Sequence, residues 1–222
     1  MEQGKERGVT SYVFDMIAFC IALGLAYFLK WKTSDLVWSL WLSSLVIGYL
    51  TILTIIFGRI YKDIGKGGAL AKVIPSGLFQ MFFFFFHFGV FHLVHAMFLK
   101  GFFPLEAGNS QFEVAPDASV GGIGAILIET TSRYGIFLVP AIIAQRLDLL
   151  KPFRKEASVE SSKDSFAAPY KNVIKMHMLI IFFCACSFFK LEHFLVYAAV
   201  YTVYFFPLWS LVKRREELKS KK

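Results

Sequence analysis

Charged residues are scarce in this chain: Asp, Glu, Lys and Arg make up 18% of 222 residues, where a soluble domain carries roughly a quarter. Apolar residues reach 56% and the mean hydropathy is +0.57. A chain of this length folded round one core cannot hide that much apolar surface from water, which excludes a soluble globular protein. Cysteine is equally sparse. Cys20, Cys184 and Cys186 all lie in apolar runs, and the last two point roughly 200° apart on a helix, so neither a disulfide framework nor a thiolate metal site follows. There is no internal repeat and no glycine-rich phosphate-binding pattern. The first apolar run follows Glu2, Glu6 and Asp15 and has no small-residue cleavage pattern behind it, so it is expected to remain as a helix.

What the sequence does contain is a series of uncharged runs of bilayer length, since crossing the hydrocarbon takes about 20 apolar residues in a helix. They predict an all-α, polytopic membrane helix bundle forming one domain, with six spans at about 12–30, 36–58, 75–103, 121–145, 172–190 and 192–212. The fourth is interrupted by Glu129 and Arg133, yet Ile123 to Ile128 and Ile136 to Ala144 flank them as apolar stretches. Pro140 and Pro207 are expected to kink the fourth and sixth helices.

The cations sort by side. Eighteen of the 24 Lys and Arg residues fall in the N-terminal segment, the loops after spans two and four, and the tail; Lys30, Lys32, Lys100 and Lys190 alone fall on the other side. The positive-inside rule then places both termini in the cytoplasm of an inner membrane, with 146–171 a cytoplasmic loop and 213–222 a basic cytoplasmic tail. It also accounts for the net charge of +8 without nucleic acid as a partner.

All five histidines, His87, His92, His95, His177 and His193, fall in or at the edge of these spans, where ionisable groups are functional candidates. Three share the third helix. His92 and His95 lie about 60° apart, and His87 follows Gln80 by one heptad, so one face is expected to carry imidazoles. Counting 1.5 Å per residue from the outer surface puts His92, His95 and Glu129 at similar depth, with His87 nearer the midplane. His193 opens the sixth helix near that outer surface, whereas His177 belongs to the cytoplasmic half. An imidazole pair at i, i+3 with a carboxylate suits a transition metal held between helices, zinc, iron or copper about equally. The ordinary alternatives stand beside this: Glu129 and Arg133 are spaced for an intrahelical ion pair, and histidines in spans also bond neighbouring helices.

The segments FFFFHFGVFHLVHAMF, Phe83 to Phe98, and PYKNVIKMHMLIIF, Pro169 to Phe182, resemble a bacterial multi-pass membrane family catalogued as domain of unknown function 6498. The histidine-rich third helix and the Pro169-Tyr170 and Met176-His177 pairs carry the likeness, which would extend over residues 36 to 212. An aromatic pair followed by Glu-Asn in that family's second helix is replaced here by Trp41-Leu42-Ser43-Ser44. The resemblance implies the architecture and no activity.

Three readings therefore stay open. One is an intramembrane metal site of His87, His92, His95 and Glu129. Another is an electron-transfer subunit handling quinone or haem b, with His193 facing His92 or His95, because two axial imidazoles must meet at one depth. The third is a non-catalytic accessory or scaffold subunit, with the lipid bilayer, other membrane subunits or further copies of the chain as partners.

Overall fold

A computed structural model of the chain describes residues 9–63, 69–105 and 120–153, with isolated positions between 174 and 202. Among these residues the fold is all-helical: α1 (Val9–Phe28), α2 (Thr33–Asp63), α3 (Ala69–Phe102), α4 (Val120–Tyr134) and α5 (Leu138–Leu150), with 3-10 turns at Gly135–Phe137 and Lys151–Phe153. Three helical stretches, Thr33–Lys62, Ile74–Phe102 and Gly124–Phe153, are long and apolar enough to cross a membrane, and Val13–Phe28 is a shorter apolar helix. Apart from those isolated positions, the fifth and sixth expected spans lie outside the described residues, as do His177, Glu192, His193 and the basic tail.

The turn between α1 and α2 is tight. Lys30 sits in the left-handed region at φ 52, where the backbone must reverse just past a helix end, and the Trp31 amide donates back to the Ala26 carbonyl at 2.9 Å. Asp35 then fixes the start of α2, one carboxylate oxygen accepting the Lys32 amide at 2.8 Å, which is half of a capping box. Its other oxygen accepts the Tyr134 hydroxyl at 2.8 Å.

From there α2 runs through the middle of the bundle. Leu36, Val37, Trp38, Leu40, Trp41 and Leu42 are all buried and pack with Ala18, Ala22 and Ala26 of α1, Ala96 and Leu99 of α3, and Ile126, Tyr134 and Phe137 beyond. The contacts fix directions. α3 is antiparallel to α2, pairing Trp38 with Phe103 at one end and Arg59 with Gln80 at the other. The α4–α5 segment is parallel to α2, since Asp35 meets Tyr134 and Gly58 packs on Pro152.

One feature agrees with the kink expected at Pro140, and one departs from the expected spans. The fourth helix is not continuous: a 3-10 turn at Gly135–Phe137 divides it. Pro140 explains the break, because it has no N–H for the Ile136 carbonyl and its ring crowds that group. The helix also continues to Leu150 and its final turn to Phe153, so the loop expected from residue 146 begins later and Arg146 belongs to the bundle.

Candidate functional site

The face of α3 that meets α2 decides where its histidines go. It is the buried stripe Gly77, Gln80, Phe84, Phe88, His92, Ala96, Leu99 and Phe103. Its steps are mostly four residues, a mean period longer than a helical turn, so the stripe drifts round α3 instead of following heptads. Gln80 and His87, one heptad apart, therefore part company: Gln80 is buried and His87 is exposed.

His92 alone of the three is fully buried, at 1% exposure. Its Nδ1 lies 3.0 Å from the Phe88 carbonyl. A carbonyl only accepts, so Nδ1 carries the proton and Nε2, 3.4 Å from Ser44 Oγ, faces the hydroxyl as an acceptor. The Trp41 indole donates to the His92 carbonyl at 3.1 Å, and the Phe88 ring lies 4.2 Å from the imidazole, centroid to centroid. Ser44 and Trp41 come from the stretch that departs from the family's Glu-Asn mark, and both hold His92. His87 instead stacks on Phe83 at 5.3 Å with the rings nearly parallel, and His95, half-buried, lies 5.6 Å from Phe91. The expected imidazole face is thus split over three environments.

Glu129 lies elsewhere. It pairs with Arg133 of its own helix at i, i+4, the alternative that the spacing allows. The expected equality of depth also fails. Tyr134 is level with Asp35, whereas His92 is level with Trp41, six residues further along α2. Glu129 precedes Tyr134 by five residues in a segment parallel to α2, so roughly 16 Å of axial distance separates it from His92 at 1.5 Å per residue. The depth count goes wrong because it assumes that span four begins at Gly121, whereas the α4–α5 segment is shifted along α2. Among the described residues no group of three His, Cys, Asp or Glu side chains is placed to hold a metal ion. The structure thus does not bring His87, His92, His95 and Glu129 together among the described residues, and His193 lies outside them.

A buried ionic contact takes their place. Arg146 Nη1 of α5 meets Asp15 Oδ1 of α1 at 2.8 Å, with Asp15 1% exposed. The guanidinium also donates to the Ile143 carbonyl at 2.6 Å and stands 4.7 Å from the Phe14 ring centroid. Counted as a flanking acid and a loop cation, neither residue is a candidate in the sequence reading. A signal was present: Asp15, Ala18, Ala22 and Ala26 form one face of α1, and small residues in line with an acid mark a face turned to protein.

The described residues thus form an all-helical fold with three helices long and apolar enough to cross a membrane. The sequence profile described as Family of unknown function (DUF6498) matches residues 3–212, and the chain belongs to that family. The match begins earlier than the resemblance in the third and fifth segments implies, taking in α1 and Asp15. No curated protein and no solved structure matches the chain.

Proposed function

We propose that this chain is a six-span protein of the bacterial inner membrane, with both termini in the cytoplasm, that serves as a non-catalytic scaffold or accessory subunit of a larger membrane assembly. One observation carries the reading: His92, Glu129 and the Asp15–Arg146 pair each engage protein groups of their own and do not converge on one point. His92 bonds Phe88 and Ser44, Glu129 pairs with Arg133, and Arg146 pairs with Asp15. The His92–Ser44 and Arg146–Asp15 contacts join neighbouring helices, as polar contacts do in lipid, while Glu129 and Arg133 neutralise each other within one helix. The outward side of α3 supports the same reading, because Phe79, Phe82, Phe86, Val90, Val94 and Phe98 are each more than half exposed, a surface suited to lipid or to another apolar helix. The distribution of Lys and Arg supports the orientation.

Purification from the native host tests this. The chain is expected to resist extraction by alkaline carbonate and to copurify with partner subunits or further copies of itself in fixed ratio. Isolation as a monomer without partners would refute the scaffold role. Stoichiometric zinc, iron or copper that is lost in the His92→Ala, His95→Ala double variant would replace it with the metal reading. A Soret band lost in His193→Ala would replace it with the haem reading.

A further inference from the structure

Arg59 and Gln80 meet across α2 and α3 near the end of the bundle opposite the α1–α2 turn. Arg59 Nη1 donates to Gln80 Oε1 at 2.9 Å. Gln80 is 2% exposed, and its Nε2 has no acceptor among the described residues. Arg59 is half-buried, and among the described residues no carboxylate lies within ion-pair distance of it. The two side chains therefore present a full positive charge and a buried amide donor side by side, with only a neutral oxygen between them. A buried donor left without an acceptor is costly. The two helices also pack closely beside the pair: a Cβ at Gly77, one turn before Gln80, would lie 3.1 Å from Ile56 Cγ2.

The group that completes this arrangement is an oxygen anion with several acceptor atoms. Phosphate suits it best, since a guanidinium offers paired N–H donors that match phosphate oxygens. Depth indicates the source. The 30-residue stretch Thr33–Lys62 is about 45 Å long at 1.5 Å per residue, against about 30 Å of hydrocarbon, so its last turns stand at headgroup level. Arg59 lies there, followed by Tyr61, 65% exposed, a residue type favoured at that depth. Lys62, Lys66 and Lys72 add positive charge to the same stretch of sequence, and basic residues beside a span attract anionic lipid.

We infer that Arg59 and Gln80 form a binding site for the headgroup phosphate of an anionic phospholipid, an inference that rests on the membrane reading above. The half-buried guanidinium takes the phosphate from the surface, and the amide turns its free N–H toward the same group.

The test uses the full chain in nanodiscs of phosphatidylcholine, with phosphatidylglycerol titrated in and retained lipid counted by native mass spectrometry. The wild type is expected to retain phosphatidylglycerol in preference to phosphatidylcholine. Arg59→Met and Gln80→Leu are each expected to weaken that preference roughly tenfold, the loss of one charge-assisted or buried hydrogen bond. Lys30→Gln, which removes an exposed cation in the α1–α2 turn at the opposite end of the bundle, leaves it unchanged. If Arg59→Met does not fold in phosphatidylcholine alone, Arg59→Lys keeps the charge without the paired donors and is expected to give an intermediate loss. A wild type without preference, or Arg59 and Gln80 variants that behave like Lys30→Gln, overturns the site. Displacement of the lipid by millimolar inorganic phosphate overturns the lipid assignment and gives the same donors to soluble phosphate. Release of the protein from native membranes by alkaline carbonate refutes the membrane reading itself, independently of which variants bind lipid.

Discussion

The Arg146 guanidinium reaches across the bundle to Asp15, Nη1 to Oδ1 at 2.8 Å, and ties α1 to α5. By register with α2, through Gly58 and Pro152, the pair lies level with about Ile52, roughly 10 Å inward of Arg59 at 1.5 Å per residue. Ions removed from water there depend on each other: losing one partner of a buried pair costs about 3–5 kcal/mol, whereas replacing both by apolar residues is often neutral.

Asp15→Ala and Arg146→Met are each expected to lower stability in detergent by about 3 kcal/mol, while the Asp15→Leu, Arg146→Met double variant recovers most of the loss. Unfolding titrations of the single and double variants measure the coupling. Additive losses would show that the two side chains do not depend on each other.

Gly48 of α2 makes room for the Phe88 ring of α3. A Cβ there would overlap the Phe88 ring, which is fully buried and cannot move aside without disturbing His92. Gly48→Ala is expected to destabilise by about 1–3 kcal/mol, the usual cost of overpacking. The same substitution in a Phe88→Leu background should cost measurably less, because the ring that blocks the methyl is gone. An equal cost in both backgrounds would mean that the glycine acts through backbone freedom instead.

How much of this was legible in the sequence follows from which residues carry periodic information. Runs such as Leu36 to Gly58 exceed bilayer length without a charge, so α2 and α3 are readable by composition alone. The kink ahead of Pro140 was readable from covalent geometry. Relative height was not. Glu129 and His92 seem level when each helix is measured from its own expected start, and only the contacts Asp35 to Tyr134 and Trp41 to His92 reveal the shift. Nor does a list of histidines tell which one meets α2, because that depends on how the contact stripe drifts round α3. Asp15 was readable in principle, standing in line with Ala18, Ala22 and Ala26, but a charge at the edge of an apolar run is ordinarily assigned to water.

The Glu129–Arg133 pair gives a quieter expectation. The two side chains are only partly buried, at 12% and 25% exposure, and belong to one helix. Their coupling in a double-variant cycle with Glu129→Gln and Arg133→Gln is expected to be about 0.5 kcal/mol, the range of i, i+4 pairs. A loss of several kcal/mol on Glu129→Gln would place the carboxylate in a larger buried network than its own helix supplies.

His92 separates packing from chemistry most directly. The ring fills the space between Trp41, Phe88 and Ser44 and bonds through both nitrogens. His92→Ala leaves a cavity and removes those bonds, so a loss of about 2–4 kcal/mol is expected. His87→Ala, on an exposed ring stacked against Phe83, should stay within about 0.5 kcal/mol. If the two histidines served one metal, the variants would lose metal together, and added zinc or copper would raise the melting temperature of the wild type but of neither variant. With His92 as a packing residue, the melting temperatures of wild type and His87→Ala respond alike to added metal, and only His92→Ala unfolds early.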